Sequence, residues 1–185
     1  MRTLIRHESV PTAMSETKYL LPALKGAISV VEKDGKITDV LLHRSPPARV
    51  QGTGRIANDL RRFFAGEAID LRGHEIDFSG YTEFQRRVLK ATQRIPYGKT
   101  KSYGEVAKAA GYPGAARAVG QVMAHNRTCI FVPCHRVVAS DGLGGFTGGT
   151  DLKVDLLKLE GSLDHVLSTP TRSTRTRNKS NKRRR

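Results

Sequence analysis

The residues most able to do chemistry in this chain are a cysteine and a histidine side by side, Cys134 and His135. They follow the apolar run Ile130-Phe131-Val132 within Pro133-Cys134-His135-Arg136. Such a run reads as a buried strand or core segment. Pro133 has no N–H to give a sheet ladder, so it ends the run. The cysteine is therefore expected where buried structure opens into a turn, with a histidine and an arginine directly after it. The thiolate is the reactive form of sulfur, and nearby cationic groups bring a thiol from a pKa of about 8.5 to about 3.5–7.5. For an isolated Cys-His pair the commoner explanation is a buried, inert cysteine beside an incidental histidine. What surrounds the pair has to decide. Glu160, just before Gly161, stands at the end of a helical pattern, where a negative charge opposes the helix dipole. That points to a reason for Glu160 other than helix stability.

The flanking elements have readable signatures. Thr82-Glu83-Phe84-Gln85 and Ser102-Tyr103-Gly104-Glu105 are both capping boxes, which predict helix starts. The first helix buries Phe84, Val88, Leu89 and Ala91 and ends at Ile95-Pro96-Tyr97-Gly98; the second runs to about Ala110. Gly111-Tyr112-Pro113-Gly114 is a turn, and a further helix runs from Ala115 to about Ala124. Two short helices across such a turn fit a helix-turn-helix, and they fit a plain helical hairpin as well. Ala115, Ala116, Ala118 and Gly120 make one surface of the last helix small, with Arg117 the one long charged group among them. That composition suits close, sequence-tolerant approach to a duplex better than base reading through long polar side chains. The stretch from Asp141 to Gly149 is a glycine-rich loop whose backbone can approach a ligand closely. It matches neither the Walker nor the dinucleotide fingerprint.

The N-terminal half carries no comparable cluster. Ala27–Val31 and Ile37–Leu42 flank Lys33-Asp34-Gly35-Lys36, a hairpin signal. Ile56, Leu60, Phe63 and Phe64 recur at helical spacing up to Gly66, and a short extended piece spans about Ile69 to Phe78. His43 and His74 read as surface or satisfied histidines, and no Cys/His cluster has zinc-ligand spacing. The expected organisation is a loose arm over residues 1–18, a small α/β domain over 19–80, a mostly helical domain over 81–167, and a basic tail over 168–185. The chain has 185 residues and a formal net charge of +15. Eight Lys/Arg and no acids lie in the tail, which leaves +7 elsewhere. The charge favours an anionic partner, and the tail has the composition of a disordered, phosphate-binding or solubilising extension. No apolar run approaches the roughly 18 residues of a membrane span. Two cysteines five positions apart do not form a disulfide framework, so a reducing compartment is expected.

From about Tyr81 to Gly161 the sequence resembles the O6-alkylguanine-DNA alkyltransferases. The resemblance rests on Ile95-Pro96-Tyr97-Gly98, Ser102-Tyr103-Gly104-Glu105, Ala116-Arg117-Ala118-Val119-Gly120, Asn126, Pro133-Cys134-His135-Arg136-Val137, Gly144 to Gly149, and Lys153 through Leu156-Leu157 to Glu160-Gly161, in order and at matching spacing. It implies an α/β protein: a small ribonuclease-H-like N-terminal domain and a mostly helical C-terminal domain with a helix-turn-helix. It implies Cys134 as nucleophile, His135 acting through a water as base, Glu160 orienting the imidazole, and Asn126 bracing the turn. The DNA contacts would be Arg117, taking the place of an extruded base, Tyr103, rotating the nucleotide's phosphate, Ser140 and Ala116; extrusion is needed because the alkylated oxygen is unreachable in a stacked duplex. Met123, Leu143, Gly144, Phe146, Thr147 and Gly148 would form the base pocket.

The implied activity is irreversible transfer of the alkyl group from O6-alkylguanine, and possibly O4-alkylthymine, in double-stranded DNA to Cys134. The protein would work as a monomer, in the cytoplasm or, in a eukaryote, the nucleus, without metal or other cofactor. Four residues depart from the family pattern. Phe146 lacks a phenolic donor present in some members. Arg127 stands where proline is usual and is expected to loosen the turn. Cys129 replaces proline or serine, and Tyr112 replaces a polar residue. A non-catalytic module recognising alkylated DNA and a Cys-His-Glu hydrolase are the alternatives; Cys134 disfavours the first, and the helix pair with Arg117 the second.

Overall fold

The computed structural model describes residues 15–168. The expectations for the first fourteen residues and for the basic tail beyond Ser168 lie outside the described residues. The chain is mixed α/β. It opens with a three-stranded antiparallel sheet in the order β1-β2-β3, made of Glu16–Ala23, Gly26–Lys33 and Lys36–His43. The hairpin signal is correct: Asp34 and Gly35 both take positive φ, 48° and 78°, the pairing that matches the twist of the flanking strands. The first strand had no clear sequence signature. It carries Pro22, tolerable because β1 is an edge strand, and it starts at Glu16, inside the stretch expected to be a loose arm.

One face of the sheet is apolar. Tyr19, Leu21, Ile28, Val30 and Val40 are buried there together with Ile56, Leu60 and Phe63 of α1 (Arg55–Phe64). Each large side chain buried in this way contributes about 1.5–3 kcal/mol. The piece expected to be extended from Ile69 to Phe78 instead contains one tight helical turn, Leu71–Gly73, started by Asp70, whose carboxylate accepts from the Arg72 N–H at 2.9 Å. Beyond it Ile76 pairs with Ile37 of β3. His74 is buried and satisfied, its Nε2 lying 2.9 Å from the Asp59 carboxylate; His43 is exposed and bonded to Ser29.

The helices of the second half are α2 (Glu83–Gln93), α3 (Tyr103–Ala109), α4 (Ala116–Ala124), α5 (Thr150–Leu159) and a short last helix, α6 (Leu163–Ser168), which was not anticipated. Both capping boxes form: Thr82 and Gln85 exchange bonds of 3.3 and 2.9 Å, Ser102 and Glu105 bonds of 3.2 and 2.7 Å. α3 and α4 pack on each other across a turn in which Gly111 and Gly114 both have positive φ. Tyr112 in that turn sets its ring edge-on to Phe84 of α2 at 4.9 Å, so this departure from the family pattern serves packing. A two-residue parallel pairing joins β4 (Lys101–Ser102) to β5 (Val137–Val138), which places the start of α3 beside the segment that follows Cys134. Most buried apolar residues of sheet and helices form one cluster from Tyr19 to Leu156, and Val138, Leu157, Leu163 and Val166 form a second. Among the described residues no helix is long and apolar enough to cross a membrane.

The capping boxes give a direct stability test. Thr82→Ala removes the acceptor for the Gln85 N–H, and a loss of about 1 kcal/mol is expected. In a domain of this size that lowers Tm by about 2–4 °C. Thermal unfolding followed by circular dichroism checks it, and an unchanged midpoint would show that the cap contributes nothing here.

Candidate active site

The segment carrying Cys134 is buried, but it is not a strand. Thr128 to Val132 form a closed loop in which the Val132 N–H donates to the Thr128 carbonyl at 2.9 Å. Ile130 takes φ of 75°, a conformation that costs a β-branched residue roughly 1–2 kcal/mol. Packing holds it there: Ile130 and Phe131 are both 1% exposed, and the Phe131 ring meets His74 edge-on at 5.3 Å. After Pro133 the chain makes one tight helical turn, Cys134–Arg136, and passes into β5. Asn126 spans the mouth of the loop. Its amide donates to the Val132 carbonyl at 2.9 Å, and its oxygen accepts from the Thr128 N–H at 3.1 Å and hydroxyl at 3.2 Å.

Glu160 is the centre of the polar network. Its side chain has no exposed surface, yet it meets two basic groups. His135 Nε2 lies 2.7 Å from Oε1, and Arg136 reaches both oxygens at 2.9–3.1 Å through Nε and Nη2. The Gly98 N–H donates to Oε2 at 3.2 Å. Gly98 has φ of 69°, and a Cβ there would sit 3.0 Å from the Glu160 carbonyl, so only glycine fits without displacement. Burial raises the carboxyl pKa, but the bonds and charges of His135 and Arg136 outweigh it and hold the group at about 2. Arg136 Nη1 also donates to the Ile95 carbonyl at 2.6 Å. From the sequence Arg136 is only a cation close to the thiol; its partner lies 24 residues along the chain.

The carboxylate also assigns the imidazole. A carboxylate only accepts, so Nε2 carries the hydrogen and, in the neutral ring, Nδ1 keeps a lone pair. Burial lowers the His135 pKa despite the Glu160 partner, which favours that neutral form. Nδ1 is buried without a hydrogen-bond partner among the described residues. It is the one basic site in the network not already engaged.

Cys134 is 4% exposed. Burial pushes its thiol up, while Asn126, Lys153 and backbone N–H groups pull it down. Burial dominates, and the thiol is raised above its ordinary value. Lys153 is a residue without a role in the sequence reading. It is fully buried, and its Nζ donates to the Val137 carbonyl at 2.6 Å and the Gly145 carbonyl at 3.1 Å. Burial lowers its pKa to about 8. One ammonium thus ties the strand after the cysteine to the glycine-rich loop.

A cavity of about 290 Å³ opens onto Cys134. Tyr103, Gly120, Met123, Ala124, Gly145, Phe146 and Thr147 line the rest of it. Met123, Phe146 and Thr147 thus share one cavity with Cys134. The Thr147 hydroxyl donates to the Ala124 carbonyl at 3.3 Å. Gly144 is packed against Tyr103, where a Cβ would come within 3.0 Å of the ring. Gly148 lines two neighbouring cavities, and Leu143 packs with Val138, Leu157 and Leu163; neither these two nor Gly144 lines the Cys134 cavity. Tyr103 reaches the Gly145 carbonyl at 3.4 Å, and burial raises its pKa. Arg117 is exposed on α4, Ala116 begins that helix, and Ser140 is exposed just beyond β5. Cys129 is mostly buried, with its sulfur 3.9 Å from the Val40 carbonyl, and burial raises its pKa.

The Glu160 network has a pH signature. A carboxyl with a folded pKa of about 2, against 4.5 ordinarily, stabilises the fold above pH 4.5 and loses that contribution as pH falls towards 2. The expected loss is about 3 kcal/mol. His135, whose folded pKa is lowered, adds a loss that begins as pH falls through 6.5. Urea unfolding from pH 7 to pH 2 measures both. Glu160→Gln is expected to be less stable at pH 7, because Arg136 loses its buried counter-charge, and to lack the component below pH 4.5.

The family described as 6-O-methylguanine DNA methyltransferase, DNA binding domain, matches residues 83–162. A methylated-DNA–protein-cysteine methyltransferase of Mycolicibacterium paratuberculosis is 54% identical over 102 residues, covering 55% of this chain and 61% of the relative. The match thus spans less than two thirds of that curated relative. One from Methanothermobacter thermautotrophicus is 38% identical over 171 residues, covering 87% of this chain and 93% of its own. Mycobacterium tuberculosis OGT, solved in complex with DNA, superposes with a TM-score of 0.65 at 38% identity, covering 78% of this chain and 93% of that one. With a relative matched along nearly its whole length at 38% identity, the chain belongs to the methylated-DNA–protein-cysteine methyltransferase family.

Proposed function

We propose that this protein repairs DNA by moving the alkyl group of O6-alkylguanine onto the sulfur of Cys134, once per molecule. One observation carries the reading: Cys134 lines a base-sized cavity, and the residue after it is a buried histidine whose Nε2 meets a buried carboxylate and whose Nδ1 has no hydrogen-bond partner among the described residues. The Cys134 proton passes to His135 Nδ1 through one water, and Glu160 stabilises the imidazolium that forms. Sulfur attacks the alkyl carbon, the S–C bond forms, and the C–O6 bond breaks with its electron pair going to guanine. Guanine then takes a proton back. The product is a thioether, so turnover stops.

The substrate reaches the cavity only if the base leaves the stack. Tyr103 and Gly145 at the rim, Arg117 on α4 and the exposed Ser140 support the view that the α3–turn–α4 pair acts as a helix-turn-helix against DNA. The first turn of α4 has no side-chain cap, which leaves its amides open to phosphate. On this reading the protein works as a cytoplasmic monomer. The meander followed by α1 supports the ribonuclease-H-like description of the N-terminal unit, and the division near residue 80 goes with it.

Intact mass tests this. Mixed with excess duplex carrying one O6-methylguanine, the wild type is expected to gain one methyl group, mapped to Cys134, and Cys134→Ala none. Tight lesion binding without a mass change would leave a recognition module. Lys153→Met in the same assay is expected to slow transfer at least tenfold, because the pocket walls lose their shared ammonium; a rate within twofold of wild type would remove Lys153 from the site.

A further inference from the structure

We infer that Arg127 and Tyr81 form a positioning device for the active-site turn, holding Asn126, and through it Cys134, from outside the pocket. Arg127 was expected to loosen the turn; the structure shows it tied down instead. The Tyr81 hydroxyl is a hub. It accepts from the Arg127 backbone N–H at 3.2 Å and from Nε at 3.4 Å, and it donates to the His125 carbonyl at 3.4 Å. Both neighbours of Asn126 in the chain are therefore fastened to one oxygen.

The rest of Arg127 reinforces this. Its guanidinium lies 5.0 Å from the Tyr81 ring centroid, and Nη2 donates to the Ser79 carbonyl at 3.2 Å. Asp77 and Asp39 supply favourable charge nearby. The Arg127 carbonyl accepts from the Val40 N–H of β3 at 2.6 Å. Residue 127 is thus held on one side by the segment that precedes α2 and on the other by the sheet. A proline would restrict the backbone here by its ring; this chain restricts it by the residue's own cation, held on an aromatic ring and hydroxyl 46 residues away in sequence.

The consequence reaches sulfur through Asn126. Its side chain bonds Val132 and Thr128 and is among the groups that pull the Cys134 thiol down. If Asn126 is free to shift, that pull weakens, and the thiol ionises at higher pH. The other titratable groups around Cys134 are His135, Lys153 and Tyr103, with Cys129 in the same segment. Changing Arg127 or Tyr81 replaces none of these groups.

The relevance to repair rests on the proposed alkyl transfer, but the test does not. Arg127→Met, Tyr81→Phe and the double variant are compared with wild type in the rate of Cys134 alkylation by iodoacetamide across pH 6–10 (~four units, spanning the ordinary thiol range), with fragment-ion mapping to separate Cys134 from Cys129. Each single variant is expected to slow the reaction threefold or more at neutral pH and to move its midpoint upward. The double variant is expected to be no slower than the worse single, because both remove the same hub. Arg127→Lys, which keeps the charge over the ring but loses the fork, is expected to fall between. Unchanged profiles, or effects that simply add, would overturn the inference. If Arg127→Met does not fold, Tyr81→Phe, which removes a single oxygen, decides by the same criterion. Methyl transfer by the wild type is measured in parallel: its failure alongside shifted thiol profiles would count against the transferase reading and leave the positioning device standing.

Discussion

A carboxylate with no exposed surface stays ionised only if its surroundings replace the water it has lost. Glu160 meets that condition with an imidazole N–H, a guanidinium and a backbone N–H. Much of the site follows from this. Arg136 is fixed because it must neutralise the charge, and the tight turn after Pro133 is fixed because it must present two consecutive side chains to one acceptor. His135 is fixed in its tautomer because a carboxylate cannot donate. The Nδ1 lone pair that the proposed chemistry uses is thus a by-product of electrostatics at the other end of the ring.

Around that centre the fold joins segments distant in sequence. Lys153 links the strand after the cysteine to the glycine-rich wall, and the Tyr97 hydroxyl donates to the Leu159 carbonyl at 2.9 Å with the Gly66 carbonyl 3.2 Å away. Each is a polar group buried or half-buried against backbone carbonyls, where an unmade bond costs more than a made one contributes. The sheet takes part through Val40, which meets both Arg127 and Cys129. The N-terminal strands therefore support the active-site loop as well as their own core.

What the sequence made legible was local. Both capping boxes and the Asp34-Gly35 hairpin need only residues within a few positions of one another, and all three form. The Cys-His-Glu set was legible through a known pattern, and His135 and Glu160 do meet. What escaped depends on contacts across the chain. Arg136 reads as one more charged residue until Glu160 is folded beside it. Lys153 reads as a surface lysine on an amphipathic helix until the backbone carbonyls of Val137 and Gly145 converge on it. Strand β1 lacks a clean alternation and contains a proline, so its pairing with β2, not its own pattern, makes it a strand. Arg127 shows the same limit: judged against a proline it looked permissive, and only the distant Tyr81 reveals the restraint.

The left-handed Ile130 has a consequence for how such a site can change. A residue carried on a regular strand can be advanced or withdrawn by sliding the strand past its partner in steps of two. The loop before Cys134 has no ladder to slide along, since it closes on itself from Thr128 to Val132 around a single strained residue. The depth of the sulfur is therefore set once by the shape of that bend. Variation in the size of the cavity must come from its other lining residues, Met123, Phe146 and Thr147 among them, while Cys134 keeps its place.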